Sequence, residues 1–339
     1  MRIAIIGGGG WGLALAKLLS ENSHQILVWE HDTRFLDSLL ETRSNPLLLP
    51  SVQLPEGIGF TGSFADIAQF SPRIVILATP SQFLRATLQS IPPTDQDRIW
   101  LDPELLAVVN VSKGIETGSL KTMSEVLQEI LPPQVQNRIC ALSGPSHAEE
   151  VARRIPTTVV VAGTDDELLQ TLQNVFSNSY FRVYRSLDLA GVEMGGAVKN
   201  VIAIAAGIVA GLGFGDNTMG ALLTRGLVEI QRLGMACGAR AETFLGLSGL
   251  GDLVTTAISQ HSRNRYVGFE IGSGRKLRDI VAEMSMVAEG AVTTLSVYQL
   301  ARQKGIEMPI TGQVYAVLYE DKDPRQAIIE LMTRELKAE

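Results

Sequence analysis

A run of four glycines near the N-terminus constrains this chain more than any other feature of its sequence. Gly7, Gly9 and Gly12 satisfy the spacing G-x-G-x-x-G. The run follows an isoleucine-rich strand, Arg2–Ile6, and opens an apolar helix, Trp11–Leu19. In this context the first glycine permits a tight turn, the second lets a phosphate approach the backbone, and the third allows close helix–strand packing. The context predicts a dinucleotide-binding loop, with its pyrophosphate at the helix N-terminus; the alternative is a glycine-rich turn without a ligand.

The residues after the second strand bear on which dinucleotide binds. The strand ends at Glu30, where a carboxylate binds the 2′-hydroxyl of an adenosine ribose, repels a 2′-phosphate and so favours NAD. His31 and Arg34 follow directly and are basic side chains that could bind the same phosphate. The sequence leaves both possibilities open, so the expected cofactor is NAD(H) or NADP(H).

Short β-branched runs alternate with helical segments as far as Asp188. Among the helical segments are Thr117–Leu131 and Asp165–Phe176, and the second of these opens with acidic residues that suit a helix N-terminus. The alternation predicts an α/β fold with a parallel, doubly wound sheet of Rossmann type. Its expected strands are Arg2–Ile6, Ile26–Trp29, Arg73–Thr79, Leu106–Ser112, Arg138–Ser143, Thr157–Ala162 and Phe181–Tyr184.

After Asp188 the strand signal stops, and apolar residues recur at helical spacing almost to the C-terminus. Pro309 fits a first helical turn. A length of 339 residues also favours two cores over one. We therefore expect a dinucleotide-binding domain over residues 1–188 and an all-α substrate-binding domain over residues 189–339. Its predicted helices include Val192–Ala210, Met219–Cys237, Glu289–Lys304 and Gln313–Leu318.

Charge and composition exclude several classes of protein. A formal net charge of −7 argues against nucleic acid or an anionic membrane surface as a partner. The apolar run Val201–Phe214 is shorter than the roughly 20 residues that a membrane span needs, so a buried core helix is expected. The glycine run argues against a signal peptide. Cys140 and Cys237 have no metal-ligand spacing and are predicted to be buried free thiols. We expect a cytoplasmic protein with no membrane insertion and no metal.

Three further loops follow predicted strands: Thr79–Ser81, Ser112–Gly114 and Ser143–Ser146. Carboxyl ends of parallel strands share one edge of a sheet, so these loops should lie beside the glycine loop. Lys113 brings an ammonium group for an anion or a polarised carbonyl. Each loop alone is compatible with a plain turn between strand and helix, and their common edge favours a ligand site.

The helical domain carries polar groups within apolar sequence. Lys199 and Asn200 lie in a helix rich in small residues, where a buried lysine has a lowered pKa and can act as an acid or base. Alternatively, the lysine reaches solvent along the domain surface. Farther on come Asp252 and the cluster Ser262–Arg265, whose hydroxyl, amide and guanidinium groups suit a phosphate. The alternative for this cluster is a solvated helix face.

Together with motifs spread over nearly the whole chain, these residues resemble the bacterial NAD(P)-dependent sn-glycerol-3-phosphate dehydrogenases. The resemblance is specific because its motifs occur in order along the sequence. The matching segments are Gly7–Gly12, Pro80–Ser81, Ser112–Glu116, Ser143–Ser146, Gly195–Asn200, Gly213–Gly215, Thr224–Gly226, Gly249–Leu253, Ser262–Arg265, Val287–Gly290 and Met308–Ile310.

The resemblance implies reversible reduction of dihydroxyacetone phosphate to sn-glycerol 3-phosphate, the precursor of glycerophospholipids, by a homodimer. Lys199 matches the family's proton donor and acceptor. The residues that match substrate contacts are Lys113, Gly144, Ser146, Lys199, Asp252, Ser262, Arg263 and Asn264. Those that match cofactor contacts are Gly10, Trp11, His31, Lys113, Ala148, Arg263, Val287 and Glu289.

The resemblance also implies a role for each of these residues, with the substrate expected to lie between the two domains. Lys113 and Asn200 are expected to orient and polarise the substrate carbonyl. Asp252 is expected to position the lysine or a substrate hydroxyl, and Arg263 with Asn264 to clamp the phosphate.

Two residues depart from the family pattern, since Gly10 replaces a usual serine and Glu30 a commonly small residue. One rival function is a dehydrogenase of the same plan that acts on a hydroxy acid or sugar acid, against which Ser262–Asn264 argues. Another is a redox-sensing protein that binds a dinucleotide without turnover; the presence of Lys113, Lys199 and Asp252 argues against it.

Overall fold

The computed structural model describes residues 1–284, 289–336 and 338. The chain forms two compact units. The first comprises Met1–Lys113 and Lys121–Glu193, and the second comprises Gly114–Leu120 and Met194–Glu339.

The first unit is built on an eight-stranded sheet in the order β3-β2-β1-β4-β5-β6-β7-β8. Successive residues of the central strand point to opposite faces, with Ile3 and Ile5 in one hydrophobic core and Ala4 and Ile6 in another. Both faces are therefore covered, as in Rossmann-type folds, and the predicted fold class is confirmed. The strands are β1 Arg2–Ile6, β2 Gln25–Trp29, β3 Ile58–Thr61, β4 Ile74–Leu77, β5 Ala107–Asn110, β6 Ile139–Ser143, β7 Thr157–Ala162 and β8 Phe181–Ser186.

The direction of the last two strands differs from the expectation. Strands β1 to β6 pair in parallel, but β7 is antiparallel to β6, and β8 is parallel to β7. The helix between β6 and β7, Ala148–Ala152, has five residues and rises only about 7.5 Å, whereas a five-residue strand spans about 16 Å. It cannot return the chain to the other edge. The predicted parallel arrangement therefore fails at one strand pairing, between β6 and β7.

Nine α-helices are described in the first unit, and one of them corrects a predicted boundary. The expected helix Thr117–Leu131 begins only at Met123, because Thr122 and Glu125 form a capping box and Leu120 has a φ of 58°. Edge strand β3 was not predicted, since its short sequence contains Gly59 and only partly faces the core. The helices are α1 Gly10–Glu21, α2 Thr33–Thr42, α3 Phe64–Phe70, α4 Leu84–Gln89, α5 Pro93–Trp100, α6 Met123–Ile130, α7 Pro133–Gln136, α8 Ala148–Ala152 and α9 Asp166–Phe176.

The second unit is helical throughout its described residues, as predicted. Pro309 occupies the first turn of its helix. Cys140 in the first unit is buried and free, but Cys237 is only half-buried, because it lies at the C-terminal cap of its helix. The helices are α10 Leu189–Gly211, α11 Asp216–Ala236, α12 Asp252–Ile258, α13 Arg263–Gly272, α14 Leu277–Glu283, α15 Glu289–Gln303, α16 Pro309–Tyr319 and α17 Pro324–Met332.

Helix α10 is the core of the second unit. It is long and apolar enough to cross a membrane, but 89% of its most apolar window is buried within the protein. Glycines let its backbone touch that of α13. A Cβ atom on Gly207 would lie 2.1 Å from the Arg265 carbonyl oxygen, and one on Gly268 would lie 2.0 Å from that of Ile204. This contact fixes α13, and with it Ser262–Arg265, against the helix that carries Lys199.

Candidate active site

The glycine loop has the geometry that its sequence predicts. Gly7 has a φ of 114°, and a Cβ atom there would lie 2.8 Å from the backbone of Ala78. A Cβ atom on Gly12 would lie 2.1 Å from the Gly7 carbonyl oxygen. Gly9, by contrast, caps α1 without a side-chain hydrogen bond and faces open space among the described residues. Because the first turn of α1 also has no acidic residue, its N–H groups and positive dipole fit a pyrophosphate.

Gly10 and Ala148 lie side by side next to this loop. A Cβ atom on Gly10 would lie 3.8 Å from the Cβ atom of Ala148 but only 2.4 Å from the Leu48 carbonyl oxygen. Position 10 is a serine in most of the family. Glycine is required here because the backbone of Leu48 leaves no room for a side chain. Neighbouring Trp11 is half-buried, and its indole N–H finds no acceptor within the described part of the chain.

The predicted cofactor-selecting residues lie just beyond β2. Glu30 is 9% exposed, and its Oε2 and Oε1 accept hydrogen bonds from the backbone N–H groups of Gly8 (3.0 Å) and Asp32 (2.8 Å). Burial raises the pKa of this carboxyl. His31 is exposed. Arg34 is also exposed, and its guanidinium donates from Nε and Nη2 to the two carboxylate oxygens of Asp32, at 3.1 and 2.7 Å.

The loops after β4, β5 and β6 come together at one edge of the sheet. The Ser112 hydroxyl donates to the Thr79 carbonyl. The Gly144 carbonyl oxygen accepts from Lys113 Nζ at 3.0 Å and from Ser146 Oγ at 2.9 Å. Three residues expected to contact substrate are thus gathered around a single carbonyl oxygen.

A buried carboxyl that the sequence reasoning missed supports this edge. Glu193 accepts from the Ser124 N–H group at 2.9 Å and lies 3.5 Å from Asn110 Nδ2. The side-chain amide of Asn110 also makes two hydrogen bonds to the backbone of Ser112. It accepts from the Ser112 N–H group at 3.1 Å and donates to the Ser112 carbonyl oxygen at 3.0 Å. Burial raises the pKa of Glu193 to about 7. The sequence signal that could have identified Glu193 was its occurrence as an isolated acid in an apolar stretch shortly before Lys199.

In the second unit, Lys199 forms a buried ion pair. The residue is 5% exposed, and Nζ lies 2.5 Å from Asp252 Oδ1 and 2.6 Å from Thr256 Oγ1. Thr256, one turn after Asp252, was not foreseen; it also donates to Oδ1 at 3.2 Å. Asn200 is likewise buried. The alternative in which the lysine extends to solvent is therefore excluded.

The candidate phosphate-binding residues lie at the start of α13. Ser262 caps this helix, its hydroxyl accepting from the Arg265 N–H group at 3.2 Å, and Arg263 is exposed in the first turn. Asn264 Oδ1 accepts from the Gly290 N–H group at 2.9 Å, which fixes the orientation of the amide. Glu289 begins α15. Val287 lies outside the described residues.

Two family profiles cover most of the sequence. Residues 2–169 match the NAD-dependent glycerol-3-phosphate dehydrogenase N-terminus, and residues 188–329 match the C-terminus of the same family. The chain belongs to the NAD-dependent glycerol-3-phosphate dehydrogenase family. The sequence resemblance and the predicted class of NAD(P)-dependent dehydrogenase are confirmed.

Individual members of this family match over their full length. The chain is 49% identical over 338 residues to a glycerol-3-phosphate dehydrogenase (NAD(P)+) of Geobacter sp. strain M21, covering 100% of this chain and 98% of the relative. It is 48% identical to the enzyme of the same name from Chlorobium phaeobacteroides, covering 100% and 99%. The crystal structure of glycerol-3-phosphate dehydrogenase from Coxiella burnetii superposes with a TM-score of 0.90 at 33% identity, covering 98% of this chain and 99% of that one.

Proposed function

We propose that this chain reduces dihydroxyacetone phosphate to sn-glycerol 3-phosphate with NADH or NADPH, reversibly, and supplies glycerophospholipid synthesis. The observation that carries the proposal is the buried Lys199–Asp252 pair, held in one unit with Arg263 and Asn264. A single buried ammonium suits proton transfer to a carbonyl oxygen, and a guanidinium with an amide suits a phosphate. The names of the curated relatives support the same substrate.

In this proposal Lys199 is the general acid of the reduction. The Asp252 carboxylate and the Thr256 hydroxyl both bind Nζ, so they hold the lysine side chain in one orientation. The bound nicotinamide supplies the hydride. Lys199 gives its proton to the oxygen on which negative charge develops, and takes it back in the reverse direction. Lys113 and Asn200 orient and polarise the same carbonyl.

Phosphate recognition is proposed for the first turn of α13. Arg263 supplies charge, and Asn264 presents its amide N–H groups because Gly290 already occupies its oxygen. Ser262 adds a hydroxyl beside them. Contacts far from the reacting carbon hold the carbonyl in place, so the phosphate should affect binding and rate together. Lys113, Gly144 and Ser146 are proposed to complete the substrate contacts.

The dinucleotide-binding domain is proposed to span residues 1–188, and the helical substrate-binding domain residues 189–339. The open N-terminus of α1 supports a pyrophosphate at Gly7–Gly12. Trp11, Glu30, His31, Arg34, Lys113, Ala148, Arg263, Val287 and Glu289 are the further proposed cofactor contacts.

We also propose a cytoplasmic homodimer. Exposed apolar side chains on the second unit, among them Met235 and Met332, border a cavity of about 660 Å³. Apolar surface of this kind is typical of subunit contacts. Light scattering on the purified chain tests the dimer.

A steady-state assay tests the function. Nicotinamide absorbance is followed with dihydroxyacetone phosphate and with a panel of keto acids and sugar acids, each with NADH and NADPH. We expect oxidation only with dihydroxyacetone phosphate; preference for a keto acid, or nucleotide binding without oxidation, would support the rival functions. Lys199→Met should abolish turnover while NADH still binds, and near-normal turnover would disprove the role of Lys199.

A further inference from the structure

The carboxylate of Glu30 is locked in place beside the glycine loop. Each of its oxygens accepts a backbone N–H group, one from Gly8 at 3.0 Å and one from Asp32 at 2.8 Å. A carboxylate has about four lone-pair positions, and the backbone of His31 also hydrogen-bonds to this one, so at least one acceptor position remains for a ligand hydroxyl. Swinging the side chain away would leave two backbone donors unpaired, which is costly in a buried setting. The carboxylate therefore stays where it is when a nucleotide binds.

The glycine loop is adapted to this carboxylate. A Cβ atom on Gly8 would lie 2.6 Å from Glu30 Oε2, so a side chain at position 8 would collide with it. The N–H group of Gly8 belongs to the turn that leads into α1. Glu30 thus connects the pyrophosphate loop to the end of β2, and a change in the carboxylate affects both.

Two arginines, one in α2 and one at its C-terminal cap, are already engaged by other groups, whereas His31 is exposed. Arg34 forms a bidentate ion pair with Asp32, and Asp32 is the N-terminal cap of α2. Arg43, at the end of α2, donates to the carbonyl oxygens of Pro55 and Ile58. A 2′-phosphate on the adenosine ribose would face the carboxylates of Glu30 and Asp32, and Arg34 would have to share its guanidinium between Asp32 and that phosphate.

We propose that this chain selects NADH over NADPH, and that Glu30 does so by accepting the ribose hydroxyl while it holds the glycine loop through Gly8. Asp32 contributes by keeping Arg34 from a 2′-phosphate. The inference rests on the proposed function for the location of the cofactor at the glycine loop. Like charges brought together in an interface are strongly unfavourable, so we expect NADH to bind at least about tenfold more tightly than NADPH.

Nucleotide binding without substrate tests this inference. Dissociation constants of NADH and NADPH are measured by calorimetry on the full chain, at one moderate ionic strength. Glu30→Gln removes the charge but retains one acceptor oxygen, so the preference should fall to about threefold or less, and NADH should also bind more weakly because one backbone N–H group loses its partner. Circular dichroism and thermal unfolding establish that each variant is folded.

Two further variants distinguish the specific effect of Asp32 on nucleotide preference from the general effect of removing a negative charge. Asp32→Asn preserves an N-cap residue and releases Arg34, so NADPH should bind about threefold to tenfold more tightly while NADH affinity is unchanged. Asp37→Asn is the matched control, since it removes the same charge from an exposed position of α2. It should leave the ratio of the two dissociation constants as in the wild type.

The inference is overturned if the wild type binds both nucleotides equally, or if Glu30→Gln leaves the ratio unchanged. Failure of Asp32→Asn to improve NADPH binding removes the role of Asp32. These results are separable from failure of the proposed function. Selective NADH binding without turnover of dihydroxyacetone phosphate would disprove the function alone, and equal use of both nucleotides in turnover would disprove the selectivity alone.

Discussion

The buried carboxyl of Glu193 makes the stability of the protein depend on pH in a direction that can be worked out. Burial raises its pKa from 4.5 to about 7, in spite of the hydrogen bonds from Ser124. A carboxyl whose pKa is raised in the folded state stabilises the fold fully below pH 4.5, and this contribution is lost as the pH rises through about 7. One pKa unit corresponds to about 1.4 kcal/mol, so the full loss is on the order of 3 kcal/mol.

Glu193→Gln isolates this effect. Glutamine can accept from the Ser124 N–H group with its oxygen and donate to the Ser124 hydroxyl, so it satisfies the same partners without titrating. All other titrating groups, including the buried Glu229, are common to both proteins and cancel in the difference. The variant should therefore gain up to about 3 kcal/mol in unfolding free energy relative to the wild type between acidic and alkaline pH.

The assay is urea unfolding of both proteins at a series of pH values, followed by tryptophan fluorescence and circular dichroism. Coincident transitions by the two probes are needed for a single unfolding free energy. Glu41→Gln serves as control, because Glu41 is exposed on α2. If the difference in unfolding free energy between Glu193→Gln and the wild type does not change with pH, the reasoning is refuted.

The other predictions concern the second unit. Arg263→Ala should raise the KM for dihydroxyacetone phosphate at least about tenfold, because a charged phosphate contact is lost; steady-state kinetics with saturating NADH measure it, and an unchanged KM would argue against a phosphate clamp. Gly290→Ala should also raise this KM without weakening NADH binding, since a methyl group would lie 2.7 Å from Asn264 Oδ1 and displace the amide; calorimetry and kinetics separate the two effects. Gly268→Ala should lower the unfolding free energy by about 3 kcal/mol or more, because its Cβ atom would meet the backbone of α10; unchanged thermal stability would contradict that close contact.

Structural features that depend on only a few neighbouring residues could be predicted from the sequence. The glycine loop, the N-terminal cap of α9 at Asp165 and the position of Pro309 in the first turn of α16 follow from local backbone requirements. Errors arose where a local pattern was incomplete. Strand β3 lacks an apolar run, and the helix expected from Thr117 starts only at Met123 because a capping box determines its beginning.

The candidate site was predicted from residue type and family pattern, and its contacts could not be predicted. Lys199 and Asp252 were both identified, and the sequence left open whether the lysine is buried. Thr256 was missed because a threonine in an apolar helix has no distinctive spacing. Glu193 was missed because an isolated acid becomes informative only when its partners, Ser124 and Asn110, are known.

The sequence by itself determined the Rossmann-type unit and the helical unit, because strand and helix periods and the glycine spacing are properties of the local chain. Its ordered motifs indicated the family by resemblance. Only the tertiary structure decided the reversed direction of β7, since this depends on how far the short helix α8 can carry the chain. It also decided that Lys199 is paired in the interior, and that Glu30 is fixed by Gly8. Such contacts join residues far apart in sequence, where burial and hydrogen-bond geometry, rather than residue type, set the chemistry.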